Sequence, residues 1–233
     1  MVQSVRRPLL FAADVTPLAD SAQYAAACRT VSPQRREKAE RFHRESDRRL
    51  CLGAELLLRY GLREAGVCAD IAAVRSDAHG KPYFPGGEIQ FNLSHSGTWV
   101  LCALADDAVG CDLEEIRPVD LKLGHRFLPE EYADILSQTT ETERLELFYR
   151  YWTLKESFMK ATGLGMQLPL DAFRIVRGET ISVIQSVDDR NYSFREFSDL
   201  PGYKCALCCA GDCDGAQLRI LDLKDILQRE VKP

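Results

Sequence analysis

Apolar positions recur along this chain in two rhythms. From Asp47 to Ala65, Leu50, Ala54, Leu57, Leu58, Leu62 and Ala65 share one face of a 3.6-residue period, which predicts a long helix stopped by Gly66. A second long helix is predicted from Glu141 to Thr162, with Leu147, Tyr151, Leu154, Phe158 and Ala161 as its apolar stripe and Gly163, Gly165 and Pro169 preventing continuation. Ser32-Pro33 reads as the start of a shorter helix, and Pro129 as the start of another. Strand-like runs are the N-terminal LLFAADV, Ile89 to Leu93, Thr98 to Ala105, Val109 to Ile116, Phe173 to Val176, Thr180 to Ile184, Tyr192 to Phe197 and Tyr203 to Ala210. Asp106-Asp107 reads as a hairpin tip, and LRILDLKDILQ as a strand followed by a helical turn. Helices and antiparallel strands without a low-complexity linker give an α+β class in two halves.

Composition narrows the function classes. At 233 residues and 45% hydrophobic content the chain can bury a core as one domain or two closely packed halves. No run of 18 apolar residues exists, and the N-terminus lacks an export signal's apolar core and cleavage site, so neither a membrane partner nor secretion is expected. A net charge of −5 argues against general nucleic-acid binding. The window from Arg29 to Arg49 departs from that balance, with eight basic residues against four acids. It fits either a solvated helix or a dock for a polyanion. Nine cysteines, an odd number, point to reduced thiols and a cytoplasmic location. Cys205, Cys208, Cys209 and Cys213 fit a buried strand that uses cysteine as a small hydrophobe, or a zinc-dependent interaction module.

Three short segments concentrate the chemistry: FNLSHSG (Phe91 to Gly97), VGCDLEEI (Val109 to Ile116) and YWTLKESFMKATGLG (Tyr151 to Gly165). In a strand, Asp112 and Glu114 face one way and Val109, Cys111 and Leu113 the other. Two carboxylates on one face suit a hard cation such as Mg²⁺, or simply solvent. On the helix, Trp152, Glu156 and Lys160 form a stripe apart from the apolar one. Glu156 and Lys160 read either as an ordinary ion pair or as an acid for a metal and an ammonium for a phosphate. Lys155 falls between the stripes. Asn92, Ser94 and His95 are expected in a turn, as a hydrogen-bonded cluster or as phosphate ligands, with a phosphate keeping His95 protonated.

These three segments, in this order, resemble the signature blocks of the Sfp-type 4′-phosphopantetheinyl transferases. SPQRREKAERF, the Gly80-Lys81-Pro82 turn, LPLDAF and GYKCALC extend the resemblance over nearly the whole chain. It implies two similar halves related by a pseudo-twofold axis, each a small antiparallel sheet on a long helix, divided as residues 1–108 and 109–233, with the site between them. It implies Asp112, Glu114 and Glu156 as ligands of Mg²⁺, with Mn²⁺ as a substitute. Ser94, His95, Lys160, Lys81 and Arg49 match contacts to coenzyme A, and Arg35 and Lys38 match positions near its 3′-phosphate. Glu156, Lys160 and His95 would be catalytic. The implied reaction moves 4′-phosphopantetheine from coenzyme A to a serine of an apo acyl or peptidyl carrier protein, by a monomeric enzyme. A non-catalytic module that binds coenzyme A or a carrier protein is the alternative.

Overall fold

The computed structural model describes residues 7–87 and 89–231. Strand β1 (Leu9–Asp14) leads into α1 (Ser21–Thr30), α2 (Pro33–Glu40) and α3 (Glu45–Glu64). Two-residue strands β2 (Arg75–Ser76) and β3 (Pro82–Tyr83) flank the Gly80-Lys81-Pro82 turn, before β4 (Gln90–Ser96), β5 (Trp99–Ala105) and β6 (Val109–Glu115). Short helices α4 (Leu123–Phe127) and α5 (Tyr132–Ser137) precede the long α6 (Glu141–Thr162). The chain ends with β7 (Phe173–Arg177), β8 (Ile181–Gln185), β9 (Tyr192–Phe197), β10 (Tyr203–Ala210), β11 (Leu218–Leu221) and α7 (Leu223–Val231).

Local signals explain the helix ends. Ser32 caps α2 by accepting from the Arg35 amide. Thr140 and Glu143 close a capping box on α6, and Gly163 ends that helix at φ 79°, where a side chain would be strained. Helix α1, whose mixed face carries little periodicity, was not expected from the sequence; Asp20 caps it.

One sheet runs β11-β1-β5-β4 and a second runs β6-β10-β9. Alternation along the strands builds three cores. Phe11, Ala13, Val100, Cys102 and Leu104 pack against α3. Leu10, Ala12, Leu101 and Ala103 face Val109, Cys111, Leu113, Cys205, Leu207 and Cys209 from the second sheet. Ala206 and Cys208 turn to α6, with Leu154 and Phe158. The layers are therefore helix, sheet, sheet, helix, which agrees with an α+β architecture of two halves. The thiols of KCALCCA are buried core groups divided between two of these layers.

The strand connections and the C-terminal tail also differ from the sequence reading. Asp106-Asp107 does not close a hairpin: β5 is paired on both sides by β1 and β4, so β6 crosses to the other sheet and pairs with β10. Strand β11 pairs in parallel with β1, and Leu223, Ile226 and Leu227 of α7 join the core on α3. Residues 218–231 thus pack with the first half although they lie in the 109–233 segment. The tail beyond β11 is a nine-residue helix rather than a single turn.

Candidate active site

The two sheets meet edge to edge at β4 and β6, and there the three chemical segments converge. Asn92, Ser94 and Ser96 lie two apart on β4 and face β6. The Cys111 amide donates to Asn92 Oδ1 at 2.9 Å, Ser94 Oγ donates to Asp112 Oδ1 at 2.8 Å, and Ser96 Oγ donates to Glu114 Oε2 at 2.9 Å. Helix α6 crosses the face of β6 that carries Gly110, Asp112 and Glu114, at very short range because residue 110 is glycine. A Cβ there would overlap the Ser157 carbonyl oxygen and the Ala161 amide. This close approach lets Lys160 reach across. Its Nζ donates to Asp112 Oδ1 at 2.5 Å, Ser94 Oγ at 3.1 Å and the Cys111 carbonyl at 3.3 Å.

Asp112 and Glu114 point to one side of β6 and Val109, Cys111 and Leu113 to the other, as the period-two reading requires. The ordinary helical pair between Glu156 and Lys160 does not form. Among the described residues Lys160 makes its ion pair with Asp112, and Glu156 makes no hydrogen bond or ion pair. Lys160 remains protonated: burial opposes its charge, but Asp112 outweighs that and raises its pKa. Burial also raises Glu156, aided by Asp112 and Glu114 against the opposing pull of Lys160. Glu114 is raised by burial and by Asp112. Asp112 is 3% exposed, and its Oδ2 is buried without a hydrogen-bond partner. Three carboxylates thus share one ammonium. Among the described residues no ready-made cluster of metal-ligating side chains occurs, yet the surplus of hard oxygen donors and the orphaned Oδ2 fit a hard divalent cation.

His95 sits on β4 rather than in a turn, on the face opposite Ser94, where Lys38 and Asp47 act on it. His95 is exposed at the surface, yet partial desolvation and then the Lys160 charge lower its pKa from the ordinary imidazole value. Lys38 is exposed. Arg35 is committed elsewhere: its Nε donates to the buried Glu55 at 3.3 Å, where Ser32 and Arg59 also donate. Arg49 pairs with Glu45 at 3.1 Å and lines a hollow of about 250 Å³ with Tyr24 and Arg48. Lys81 donates to the carbonyls of Val109 and Ala161, both at 3.1 Å, and burial lowers its pKa to about 8. It ties the Gly-Lys-Pro turn to the C-terminal end of α6, away from the acids. Lys155, unplaced by the sequence, is 0% exposed and pairs with buried Glu131 at 3.1 Å. It also donates to the Leu170 and Phe173 carbonyls, so it fastens α6 to the segment leading into β7.

Comparison with known proteins gives this geometry a family. Residues 17–106 match the family described as "4′-phosphopantetheinyl transferase, N-terminal", and residues 108–208 match the "4′-phosphopantetheinyl transferase superfamily". The chain is 35% identical over 185 residues to 4′-phosphopantetheinyl transferase Sfp of Bacillus subtilis strain 168, covering 77% of this chain and 82% of that one. The chain belongs to the 4′-phosphopantetheinyl transferase superfamily. A second Bacillus subtilis 4′-phosphopantetheinyl transferase is 33% identical over 201 residues, covering 81% of this chain and 87% of its own. The gsp transferase of Aneurinibacillus migulanus is 32% identical over 180 residues, covering 76% of each chain. In this transferase the first matched region carries Ser94, His95 and the basic helix α2, and the second carries the three acids and Lys160. The site lies where the two regions abut. Three residues there have no assigned part in the resemblance: Asn92 and Ser96 by their side chains, and Gly110 by the lack of one. Their signal in the sequence is the i, i+2 spacing of Asn92, Ser94 and Ser96, which places all three on one strand face.

Proposed function

We propose that this transferase moves the 4′-phosphopantetheine of coenzyme A onto a serine of an apo acyl or peptidyl carrier protein, with Mg²⁺ as its resident cation. The serine Oγ bonds to the phosphorus that carries the pantetheine arm, and the pyrophosphate P–O bond breaks. The electron pair leaves on adenosine 3′,5′-bisphosphate, and the serine proton goes to a base. Asp112, Glu114 and Glu156 are the residues that would hold Mg²⁺, or Mn²⁺ in its place. Bound there, the cation would neutralise charge on the pyrophosphate and on the leaving bisphosphate.

The chain's own groups account for the rest. Lys160, protonated and anchored beside Ser94, offers positive charge to phosphoryl oxygens. The lowered pKa of His95 disfavours its charged form in the free protein, and a bound phosphate would draw a proton onto it. Glu156, free of hydrogen bonds and with its pKa raised by burial, suits a general base. Exposed Lys38, on the side of His95, fits the 3′-phosphate, and Arg49 fits a further phosphate contact at its hollow. Arg35 and Lys81 serve this reading as anchors, since Glu55 holds the Arg35 Nε and two backbone carbonyls hold the Lys81 ammonium. Nine free thiols support a reducing, cytoplasmic setting, and no helix among the described residues is long and apolar enough to cross a membrane. The transferase is taken as a monomer.

The observation that carries this reading is the meeting of Ser94, Asp112 and Lys160, one from each chemical segment, at a single point between the halves. The test is Glu156→Gln, which keeps size and packing but removes ligand charge and base together. Transfer should be lost with an unchanged melting temperature. Near wild-type loading by this variant would refute both roles of Glu156.

A further inference from the structure

We propose that Ser96 is a positioning residue that aims the Glu114 carboxylate at the metal, so that the cation site is completed only when the two halves are joined. This rests on the metal reading above.

Strands β4 and β6 are the facing edges of two different sheets and share no backbone ladder. An edge strand leaves amides without partners, and buried amides must be satisfied. Here side chains supply the partners. Asn92 Oδ1 takes the Cys111 amide at 2.9 Å, and Ser96 Oγ takes the Glu115 amide at 3.1 Å. A serine hydroxyl has one proton. Because Ser96 Oγ accepts from the Glu115 backbone, the direction of that proton is constrained, and it is donated to Glu114 Oε2 at 2.9 Å. A residue of the first half therefore reads the position of one β6 amide and uses it to orient the neighbouring carboxylate.

The same device recurs two residues earlier. Ser94 donates to Asp112 Oδ1 at 2.8 Å, which leaves Oδ2 as the buried oxygen without a partner. Asp112 and Glu114 are thus each held through one oxygen by a hydroxyl from the other half. Hydrogen bonds of this kind to a ligating carboxylate typically change metal affinity by about 10- to 100-fold. A purely structural serine would matter for the Glu115 amide and for stability, but not for the cation.

The experiment is a Mn²⁺ titration of the full chain, following the electron paramagnetic resonance signal of the free ion, together with a thermal melt. Ser96→Ala should raise the Kd for Mn²⁺ at least about tenfold. Ser96→Thr, which keeps the hydroxyl and suits a strand, should restore affinity close to wild type. Asp112→Asn serves as the reference and should abolish the site. If Asp112→Asn loses Mn²⁺ while Ser96→Ala binds it like wild type, whatever its melting temperature, the role of Ser96 is overturned alone. If Ser96→Thr binds as poorly as Ser96→Ala, the hydroxyl is not the cause and the proposal also fails. If Asp112→Asn binds Mn²⁺ unchanged, the metal reading itself falls, and this inference with it.

Discussion

Replacing Lys160 by Met keeps an unbranched chain on α6 and removes the ammonium that joins the two halves. In the wild type that ammonium lies 2.5 Å from Asp112 Oδ1, and the two side chains are 25% and 4% exposed. At an effective dielectric of about 20, unit charges about 3 Å apart attract by about 5 kcal/mol before desolvation. Breaking a fully buried pair costs about 3–5 kcal/mol, and the partial exposure of Lys160 lowers the expected loss to about 2–3 kcal/mol. For a chain of this size that is a fall in Tm of about 4–12 °C. The assay is urea and thermal unfolding in chelator, run as two double-mutant cycles. Lys160→Met with Asp112→Asn should couple by more than about 1.5 kcal/mol. Lys160→Met with Glu156→Gln should couple by no more than about 0.5 kcal/mol, because no direct bond joins that pair. Separately, kcat should fall by about 10²- to 10³-fold, as for loss of other charge-stabilising donors. Coupling below about 0.5 kcal/mol to Asp112 would show that the placement of the ammonium against β6 is wrong, and stronger coupling to Glu156 would show that it pairs along its own helix.

Two further outcomes follow from burial and charge. Burial holds the thiols of Cys102, Cys205, Cys208 and Cys209 well above their ordinary range and pushes Cys111 up to about 12. Unfolded thiols ionise near about 8.5, so above that pH the folded state binds more protons and stability falls as pH rises, by up to about 1.4 kcal/mol per thiol at pH about 9.5. The urea midpoint should therefore drop steeply between pH about 8 and 9.5, and Cys111→Ala should flatten the slope; a midpoint independent of pH would refute the assignment. Lys38→Ala should raise KM for coenzyme A more than for its 3′-dephospho form without changing Tm, whereas Arg35→Ala should lower Tm because buried Glu55 loses a donor. Equal KM effects on both substrates would assign Lys38 to general charge.

The parts of this structure that were legible in the sequence are those encoded within one segment. The apolar stripe of α6 and the shared face of Asp112 and Glu114 follow from helix and strand periods alone, and both are as read. Partners distant in sequence were not legible. Nothing in the sequence sends β11 to β1, because parallel pairing leaves no local turn signal. The charge on Arg35 was legible, but not that Glu55, twenty residues on, would claim it. Lys155 resisted placement because its partner Glu131 lies in a separate short segment. The histidine turn was misplaced by a few residues: the β4–β5 turn sits at Gly97, where φ is 58°, and leaves His95 on the strand. The edge-to-edge seam that carries Ser96 depends on how two sheets abut, and no single strand carries that information.

The most direct measurement of the central claim is the intact mass of an apo carrier protein after incubation with this transferase, coenzyme A and Mg²⁺. The account predicts a gain of one phosphopantetheine on a single serine, with stoichiometric release of adenosine 3′,5′-bisphosphate. It also predicts no gain in excess chelator, or with Asp112→Asn in place of the wild type. Full loading in the presence of chelator, or by the Asp112→Asn protein, would contradict it.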